Sequence, residues 1–536
     1  MNRKWLNKGL GILLIMILAL AGCSSNQTAK KSTGTTQTKS SGEKVLKVAL
    51  TSDATRLDPH FNSTASDLTV TQPIFNGLVR FKPGTVSGEE IEGDLAESWE
   101  TNQEGTIWTF HLRKGVQWHN GYGEFTSSDV KWTFERLLDP KTGSPFNSEL
   151  SVIEKVDALD PYTAVFYLKN SDSAFLLRIL MDGSAGAIVK KEAIEAAGKD
   201  SMVKPVGTGP FMLKEYKQGQ KVVLEKNPKY FRGEPKLDRI EYLIMNDRNA
   251  IDVALEKGEI QMALGEGDQL WLQQMEKKSN MVLDFPEPNV FWGLFLNTSM
   301  KPLDDIQVRK AIAHAIDIKK YVKEVYGSSS AGQLASGPIP SKIFGHADLG
   351  IYKYDPELSK ELLAKAGYAN GLTLPPQFLS SRDTYVKLMT FIQEELRKVG
   401  INMELNKVDV PTYGANIRKD LNGLVLYGRS PKPHAAFALV DHYYGPSTVG
   451  MQTAKLNFSH FNKSDQLIEA AGKELNTDKA NEMYKEIQKQ IMDEYVVVPL
   501  AQTKSVLVRS KNVVLGYDFK GTMSYFYPIN ETTSIK

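Results

Sequence analysis

The sequence predicts an α/β protein with α+β elements, built as two unequal lobes. Three observations indicate this class. The second half of the chain alternates strand-like apolar runs with amphipathic helical segments, whereas the first half is richer in strands and loops. The 536 residues exceed what one domain usually holds, so we expect two or three lobes.

The first 23 residues indicate an exported protein. Three basic residues precede an apolar stretch at residues 10–20, which at about a dozen residues is too short to span a bilayer as a helix. The string Leu20-Ala21-Gly22-Cys23 that follows resembles the signal of bacterial lipoproteins. This resemblance implies a cleaved signal peptide over residues 1–22 and a diacylglyceryl group on Cys23, which would tether the mature protein to the outer face of the cell membrane.

The composition argues against several kinds of chemistry and partner. Cys23 is the one cysteine of the chain, so neither a disulfide nor a cysteine nucleophile is expected. Removal of the signal peptide leaves 514 residues with 62 basic and 63 acidic side chains, a balance that does not favour nucleic acid as a partner. No later stretch approaches 18 consecutive apolar residues, so no membrane span is expected.

Residues 23–44 consist mostly of Ser, Thr, Lys and Gly, and they predict a flexible linker because they offer almost nothing apolar to bury. Order is expected to begin with a strand at residues 45–50. Further strands are predicted at residues 107–112, 237–244, 290–296, 496–500 and 505–508.

Helices are predicted where apolar residues recur every three or four positions after a capping residue. The clearest pattern begins at Asp304 and Asp305, from which a single helix is expected to run to Gly327 with Arg309 on its solvated face. One further helix is predicted to be capped by Ser127 or Ser128 and to stop before Pro140, and the others are predicted at residues 250–257, 356–366, 383–398, 464–474 and 478–494.

Sequence patterns of known catalytic chemistry are missing. There is no His-Glu-x-x-His pattern for zinc and no Gly-x-Ser-x-Gly elbow. The string Gly207-Thr208-Gly209-Pro210 begins like a phosphate loop, but no Lys-Ser/Thr follows it, so a tight turn is expected. A binding protein rather than an enzyme is therefore predicted.

Four longer strings occur in a fixed order along the chain. They are DLAESW at 94–99 with TIWTFHLR at 106–113, PVGTGPF at 205–211 with NP at 227–228, PLDD at 302–305 with VRKAI at 308–312, and YDPE at 354–357 with KAG at 365–367. In order and spacing they resemble the extracytoplasmic solute-binding proteins of peptide and nickel ABC importers, solute-binding family 5. The resemblance covers roughly residues 45–530.

This resemblance implies a two-lobed fold like that of periplasmic binding proteins, with an extra subdomain in the N-terminal half and a hinged ligand cleft. Residues 45–288 would form lobe I, including a subdomain at about 85–204. Residues 289–503 would form lobe II, and residues 504–536 would return to lobe I. The closed protein would dock as a monomer on an ABC permease in the membrane, and no cofactor is implied.

The cleft should set the specificity, and Arg382 is one expected ligand-binding residue. It falls where some dipeptide-binding relatives place an arginine that holds the carboxylate of the peptide. A guanidinium suits this role because its planar fork donates two hydrogen bonds to a carboxylate. The alternative is an exposed arginine at the start of a helix, where the helix dipole disfavours a cation.

The segment at residues 424–435 is the other expected part of the cleft, and it carries Tyr427, Arg429, Lys432 and His434. Peptide-binding relatives often have an acidic residue here, which holds the α-ammonium group of the peptide. This chain has no Asp or Glu between residues 422 and 440, so a neutral or anionic ligand end would fit better than a free amine.

The same segment resembles nickel-binding relatives, in which a Tyr/Trp-Gly step is followed by Pro-His-Ala. Tyr427-Gly428 and Pro433-His434-Ala435 match that arrangement, so His434 is the metal ligand if nickel is bound. One histidine would need a chelator to supply the other ligands. The lobe I arginines that hold the chelator in those relatives are replaced here by residues such as Glu135 and Gly186.

An oligopeptide or dipeptide is the predicted solute, because peptides are the commonest ligands of the family and can be held through their backbone. A nickel chelate, an oligosaccharide or an opine-like carboxylate stays open, as do a secreted enzyme and a signalling receptor. Aromatic residues that would line side-chain pockets or belong to the core are Tyr413, Tyr427, Phe437, Tyr443 and Tyr444.

Overall fold

A computed structural model of the chain describes residues 42–62, 64–181, 184–287, 290–327, 331–429, 432–451, 455–522 and 527–536. The predicted signal peptide, Cys23 and most of the predicted linker lie outside the described residues. The chain from Glu43 to Lys536 forms one unit. Within the described ranges, no helix has both the length and the apolar character needed to cross a membrane.

The described residues contain twenty-three strands, all of them ten residues long or less. They are β1 (Val45–Leu50), β2 (Val79–Phe81), β3 (Ile91–Gly93), β4 (Ala96–Thr101), β5 (Ile107–Leu112), β6 (Ile153–Asp160), β7 (Thr163–Leu168), β8 (Phe211–Lys217), β9 (Lys221–Lys226), β10 (Arg239–Ile244), β11 (Met262–Gly265), β12 (Met281–Asp284), β13 (Val290–Leu296), β14 (Gly332–Leu334), β15 (Leu372–Thr373), β16 (Gln377–Ser380), β17 (Ile401–Asn402), β18 (Leu405–Val408), β19 (Leu424–Arg429), β20 (Val497–Thr503), β21 (Val506–Ser510), β22 (Val513–Val514) and β23 (Ser534–Ile535).

The same part of the chain contains fourteen α-helices, most of them in the second half. They are α1 (Ala65–Thr71), α2 (Ser127–Leu138), α3 (Phe175–Arg178), α4 (Lys191–Ala197), α5 (Arg248–Lys257), α6 (Gln269–Glu276), α7 (Ile306–Ala315), α8 (Ile318–Tyr326), α9 (Pro356–Lys365), α10 (Asp383–Lys398), α11 (Val410–Arg418), α12 (Ala435–Tyr443), α13 (Asp465–Lys473) and α14 (Thr477–Asp493).

Three sheets organise these elements. The seven-stranded sheet has the order β12-β21-β11-β1-β10-β9-β8, the central sheet has the order β14-β20-β13-β19, and the subdomain sheet has the order β4-β5-β7-β6. The chain leaves the seven-stranded sheet after Asp284 and enters the central sheet at Val290. It leaves the central sheet after Thr503 and returns to the seven-stranded sheet at Val506. The α/β class with α+β elements is confirmed.

The apolar runs in the sequence form the inner strands of these sheets. In β1, the side chains of Leu46, Val48 and Leu50 are buried, and the strand lies parallel to β10. In β13, every residue after Val290 is buried, and antiparallel partners flank the strand on both edges. A strand buried on both faces reads as a continuous apolar run, which is why β13 was visible in the sequence.

One predicted helix is wrong in an informative way. The segment from Asp305 to Gly327 forms two helices, α7 and α8, because the Asp317 carboxylate accepts a hydrogen bond from the Lys320 N–H at 3.2 Å and caps a new helix.

The position predicted for Arg309 is also wrong, because the side chain is buried rather than solvated. Its guanidinium donates to Leu303 O at 2.9 Å and to Glu494 O at 3.0 Å, so it joins neighbouring segments.

The core that packs against the subdomain sheet is aromatic, and one of its residues, Phe437, comes from a distant part of the chain. The ring of Phe166 makes edge contacts with Phe110, Phe134 and Phe175 at centroid distances of 5.4, 4.8 and 5.6 Å. Phe437 lies in α12, the helix that follows the edge strand β19 of the central sheet. It packs into this same cluster and is 7 % exposed. The subdomain sheet and the region around α12 therefore meet at Phe437.

Candidate functional site

A charged cavity of about 80 Å³ lies at this meeting point, and we call it the junction cavity. Two of its residues, Glu149 and Arg178, belong to the side of the subdomain sheet. The others end or follow β19, or lie on or near α12. They are Arg429, Lys432, Ala436, Phe437, Val440, Asp441 and Lys455. Two of the five predicted ligand-binding residues, Arg429 and Lys432, are thus brought together.

Local structure explains why these side chains converge. β19 is buried over its first three residues and becomes half-buried at Tyr427, so its last residues emerge from the sheet. The chain then turns into α12, which His434 caps. On the opposite side, Arg178 is the last residue of α3, and Glu149 lies in the loop that precedes β6. The ends of β19 and α3 and one side of α12 therefore supply most of the cavity wall.

Lys432 joins the two sides of the cavity. Its ammonium donates to Glu149 Oε1 at 2.7 Å and to Leu177 O at 3.2 Å. Burial acts to raise the pKa of the Glu149 carboxyl, but Lys432 and Arg178 outweigh burial, and the pKa lies below its ordinary value. Glu149 is therefore a carboxylate held by cations from both sides.

Asp441 is the second carboxylate of the cavity. Arg429 forms an ion pair with it, and Lys455 lies 3.3 Å from its other oxygen. Burial acts to raise the pKa of Asp441, while Arg429 and Lys455 lower it, and the net result is a lowered pKa. Both carboxylates of the cavity are ionised and already paired with side chains of the protein.

The cavity carries more positive than negative groups. Arg178, Arg429, Lys432 and Lys455 face two carboxylates. The charges of Arg178 and Lys432 also lie over the ring of Phe437, at 5.0 and 5.5 Å from its centroid. Asp172 forms an ion pair with Arg178 but does not line the cavity. An anionic group of a ligand suits this balance, and a cationic group does not.

Tyr427 lies beside the cavity rather than in its lining. Its half-buried ring is 5.2 Å from Phe458 and 5.9 Å from the ring of His442. His442 donates from Nδ1 to Leu456 O at 3.1 Å and accepts at Nε2 from Arg429 at 3.4 Å. Burial and the neighbouring Arg429 lower the pKa of His442 to about 3, so the ring is neutral and orients the guanidinium.

His434 has a structural role at the start of α12. Its Nδ1 accepts a hydrogen bond from the Ala436 N–H at 3.2 Å, and its ring stacks on Phe344 at 4.7 Å. Burial lowers the pKa of His434 to about 4. Among the described residues, no cluster of three or more His, Cys, Asp or Glu side chains could hold a metal ion.

Arg382 is separate from the other four. It is exposed at the N-terminus of α10, and its guanidinium has no ion-pair partner in the described part of the chain. One turn later, Tyr385 packs against Trp292 of β13 at 5.2 Å, so α10 begins beside the central sheet. Arg382 as a ligand contact stays a prediction.

The other aromatic residues were predicted either to line side-chain pockets or to belong to the core, and the structure contains examples of both. Tyr413 and Tyr443 are buried, and their hydroxyls donate to Leu426 O at 2.7 Å and to Pro338 O at 2.8 Å. Tyr444 is half-buried and donates to Glu469 at 2.5 Å. Phe437 is the one of these that lines the junction cavity.

Sequence reasoning missed Glu149, Arg178, Asp441 and Lys455. None of them stands in a recognisable motif, and Asp441 lies one residue beyond the acid-free stretch that the sequence singled out. Glu149 and Lys432 are 283 positions apart in the chain. A signal for their pairing exists only in the folded protein.

Comparison with known proteins gives concordant results. The family model for bacterial extracellular solute-binding proteins, family 5 (middle), matches residues 90–451. Heme-binding protein A of Haemophilus influenzae is 28 % identical over 91 % of this chain and 92 % of its own. MoaA of A. tumefaciens R10, solved in complex with mannopinic acid, is 37 % identical, with a TM-score of 0.83 over 92 % of this chain and 100 % of that one. DppA from Helicobacter pylori, solved in complex with the peptide STSA, is 28 % identical, with a TM-score of 0.78 over 92 % of this chain and 98 % of that one.

Proposed function

The chain belongs to family 5 of the bacterial extracellular solute-binding proteins. We propose that it captures a small solute bearing a carboxylate and delivers it to an ABC permease. Proteins of this family bind solutes rather than convert them.

The observation that carries the proposal is the charge balance of the junction cavity. Four cationic side chains surround two carboxylates, and both carboxylates are already paired with cations of the protein. A carboxylate entering the cavity would accept hydrogen bonds from Arg429 and Lys432. In a partly desolvated site such charge-assisted bonds are strong.

Two solute classes carry a suitable carboxylate. An opine-type acid is supported by the 37 % identity to MoaA, which was solved with mannopinic acid. A short peptide is supported by DppA from Helicobacter pylori, solved with a tetrapeptide. The opine-type acid is the first candidate, because the identity to MoaA, at 37 %, is higher than the 28 % identity to DppA. The predicted peptide remains the second candidate.

A nickel chelate is less well supported by the geometry. His434 uses Nδ1 to cap its own helix, and no second metal-binding side chain accompanies it within the described residues. The chelator would have to supply every other ligand of the metal.

We also propose that the solute is enclosed between two lobes. Lobe I would comprise residues 45–288 and 504–536, with the subdomain at about 85–204, and lobe II would comprise residues 289–503. The proposal is supported by the change of sheet after Asp284 and again after Thr503. Two neighbouring crossovers of this kind are suited to act as a hinge.

Lipid anchoring at Cys23 is part of the same proposal. It is supported by the string Leu20-Ala21-Gly22-Cys23 and by the long polar stretch before Val45. Metabolic labelling with a palmitate analogue tests it. The native chain is expected to incorporate label, and a Cys23→Ala variant is expected to incorporate none.

The solute class is tested by thermal unfolding of the mature chain with four added compounds. They are mannopinic acid, a free-acid tripeptide, a nickel–histidine chelate and maltotriose. A bound solute stabilises the folded state by about 2.7 kcal/mol at a hundredfold excess over Kd. Stabilisation by either acid is the expected result. Stabilisation by the chelate or the neutral sugar alone would contradict the proposal.

A further inference from the structure

A short loop of the subdomain is hydrogen-bonded to the C-terminal end of α13. The loop comprises residues 171–173, between β7 and α3, and we call it the latch segment. The Ser173 N–H donates to Gly472 O at 3.0 Å, and the Ser173 hydroxyl donates to the same oxygen at 3.1 Å. The Ser171 hydroxyl donates to Lys473 O at 2.9 Å. Three hydrogen bonds therefore join the subdomain to α13 at this point.

The accepting carbonyls belong to the last turn of α13. The last four C=O groups of an α-helix lack N–H donors from a following turn, so they need partners from elsewhere. Ala471 O receives hydrogen bonds from the Glu474 N–H at 3.4 Å and from the Tyr484 hydroxyl at 3.1 Å. The latch segment supplies donors to the next two carbonyls, and it thereby completes the capping of this helix end.

A second loop of the subdomain contacts the same end of α13. The turn between β4 and β5 contains Gly105, whose φ is 64°. A Cβ atom at this position would lie 2.8 Å from Leu475 Cδ1, so the backbone of the turn and the Leu475 side chain are in close contact. Leu475 directly follows Glu474, the C-cap of α13. Two separate loops of the subdomain thus hold one end of one helix.

Asp172 fixes the latch segment from within. Its buried carboxylate accepts a hydrogen bond from the Ala174 N–H at 3.0 Å and forms an ion pair with Arg178. Arg178 lines the junction cavity, whereas the residues of the latch segment and of the α13 end do not. The hydrogen bonds between the latch segment and α13 therefore do not depend on what the junction cavity holds.

We propose that the latch segment holds the subdomain closed on α13 whether or not a solute is bound. Its donors lie on the subdomain and its acceptors on α13, so the hydrogen bonds favour the arrangement in which the two are together. One consequence rests on the proposed function, in which the subdomain belongs to lobe I and α13 to lobe II. A solute held between the lobes then binds more tightly, because part of the free energy of closure comes from the latch segment.

The experiment measures the distance between the subdomain and α14, which follows α13, without added solute. Cys23 is the one cysteine of the chain, so a Cys23→Ser mature chain can carry spin labels at two introduced cysteines. Glu154→Cys on β6 and Lys489→Cys on α14 are suitable, because both positions are exposed. Double electron–electron resonance then gives the ratio of molecules with a short distance to molecules with a long distance.

A population with the short distance is expected when the latch segment is native. The double substitution Ser171→Ala and Ser173→Ala removes two of the three hydrogen bonds, so the ratio of short to long distances should fall about fivefold or more. Leu475→Ala removes the contact with Gly105 at a position that is 45 % exposed, so the fold should survive and the ratio should fall as well.

The matched control is Ser151→Ala, because the Ser151 hydroxyl donates to Ser148 O within the subdomain. This control should leave the ratio unchanged. Equal ratios with the native latch segment and with the double substitution would overturn the proposal, as would a long distance alone with the native latch segment. The measurement uses no solute, so a failure of carboxylate recognition would not affect its interpretation.

Discussion

The ammonium of Lys432 lies 2.7 Å from the carboxylate of Glu149, and the two residues belong to different parts of the fold. Glu149 precedes β6 of the subdomain sheet, whereas Lys432 follows β19 of the central sheet. Their contact exists only while these parts are together. The same ammonium faces the junction cavity, so under the proposed function this one residue would link closure of the protein to recognition of a carboxylate.

Lys432→Met should weaken binding of the carboxylate-bearing solute at least tenfold, because it removes a charged hydrogen bond of about 1.5–3 kcal/mol. Isothermal titration calorimetry measures the change in Kd. Lys489→Met is a matched control at an exposed position of α14 and should bind like the native chain. An equal effect of the two substitutions would remove Lys432 from the site.

Arg382→Ala should also weaken binding of a carboxylate-ended solute tenfold or more, on the same energetic basis. Its guanidinium is exposed and has no ion-pair partner in the described part of the chain, so the fold loses no ion pair. Thermal unfolding without solute should be unchanged within about 0.5 kcal/mol. Unaltered solute affinity would show that Arg382 is an ordinary surface residue.

The free energy of unfolding should fall as the pH is lowered from about 6.5 to about 4. Burial lowers the pKa of His60, His119 and His434 to about 4 and that of His442 to about 3. In the unfolded chain each histidine takes up a proton near pH 6.5. Between these values the unfolded state binds more protons, so acid favours unfolding.

Urea unfolding between pH 7.5 and 5 measures this dependence. Each buried histidine contributes at most about 1.4 kcal/mol per pH unit. His442→Gln removes one such group and should flatten the slope by up to that amount. A free energy of unfolding that is the same at pH 7 and pH 5 would contradict the assignment of these rings as neutral.

His434→Asn should preserve the start of α12, because Asn is among the best N-cap residues, while His434→Ala should destabilise the protein by about 1 kcal/mol more. Chemical unfolding of both variants measures the difference. If Asn and Ala cost the same, the hydrogen bond from Ala436 contributes nothing to stability, and the N-cap role of His434 is contradicted.

Local patterns predicted much of the secondary structure. Helix α10 was expected at residues 383–398 and is found there, because an acidic first turn, a regular apolar stripe and a following glycine all agree. The helix expected from Asp304 to Gly327 failed because Asp317 caps a second helix within an unbroken apolar pattern. The buried position of Arg309 depends on Glu494, which no local pattern connects to it.

The site was less predictable than the fold, because its contacts also join segments that lie far apart in the chain. The acid-free segment around Lys432 was visible in the sequence, and it predicted the cations Arg429 and Lys432 as part of the site. The carboxylates that pair with its cations, Glu149 and Asp441, belong to other elements or lie just beyond the segment. Tertiary contacts between distant segments decide which N–H groups of the cationic side chains can donate to a ligand.

The central claim is that a carboxylate of the solute is recognised, and calorimetric titration with matched acids and amides tests it most directly. The mature chain is titrated with mannopinic acid and with a tripeptide, each as the free acid and as the amide. At least one free acid should bind, and its amide should bind tenfold or more weakly. Equal affinity of acid and amide, or no binding of either acid, would contradict the account.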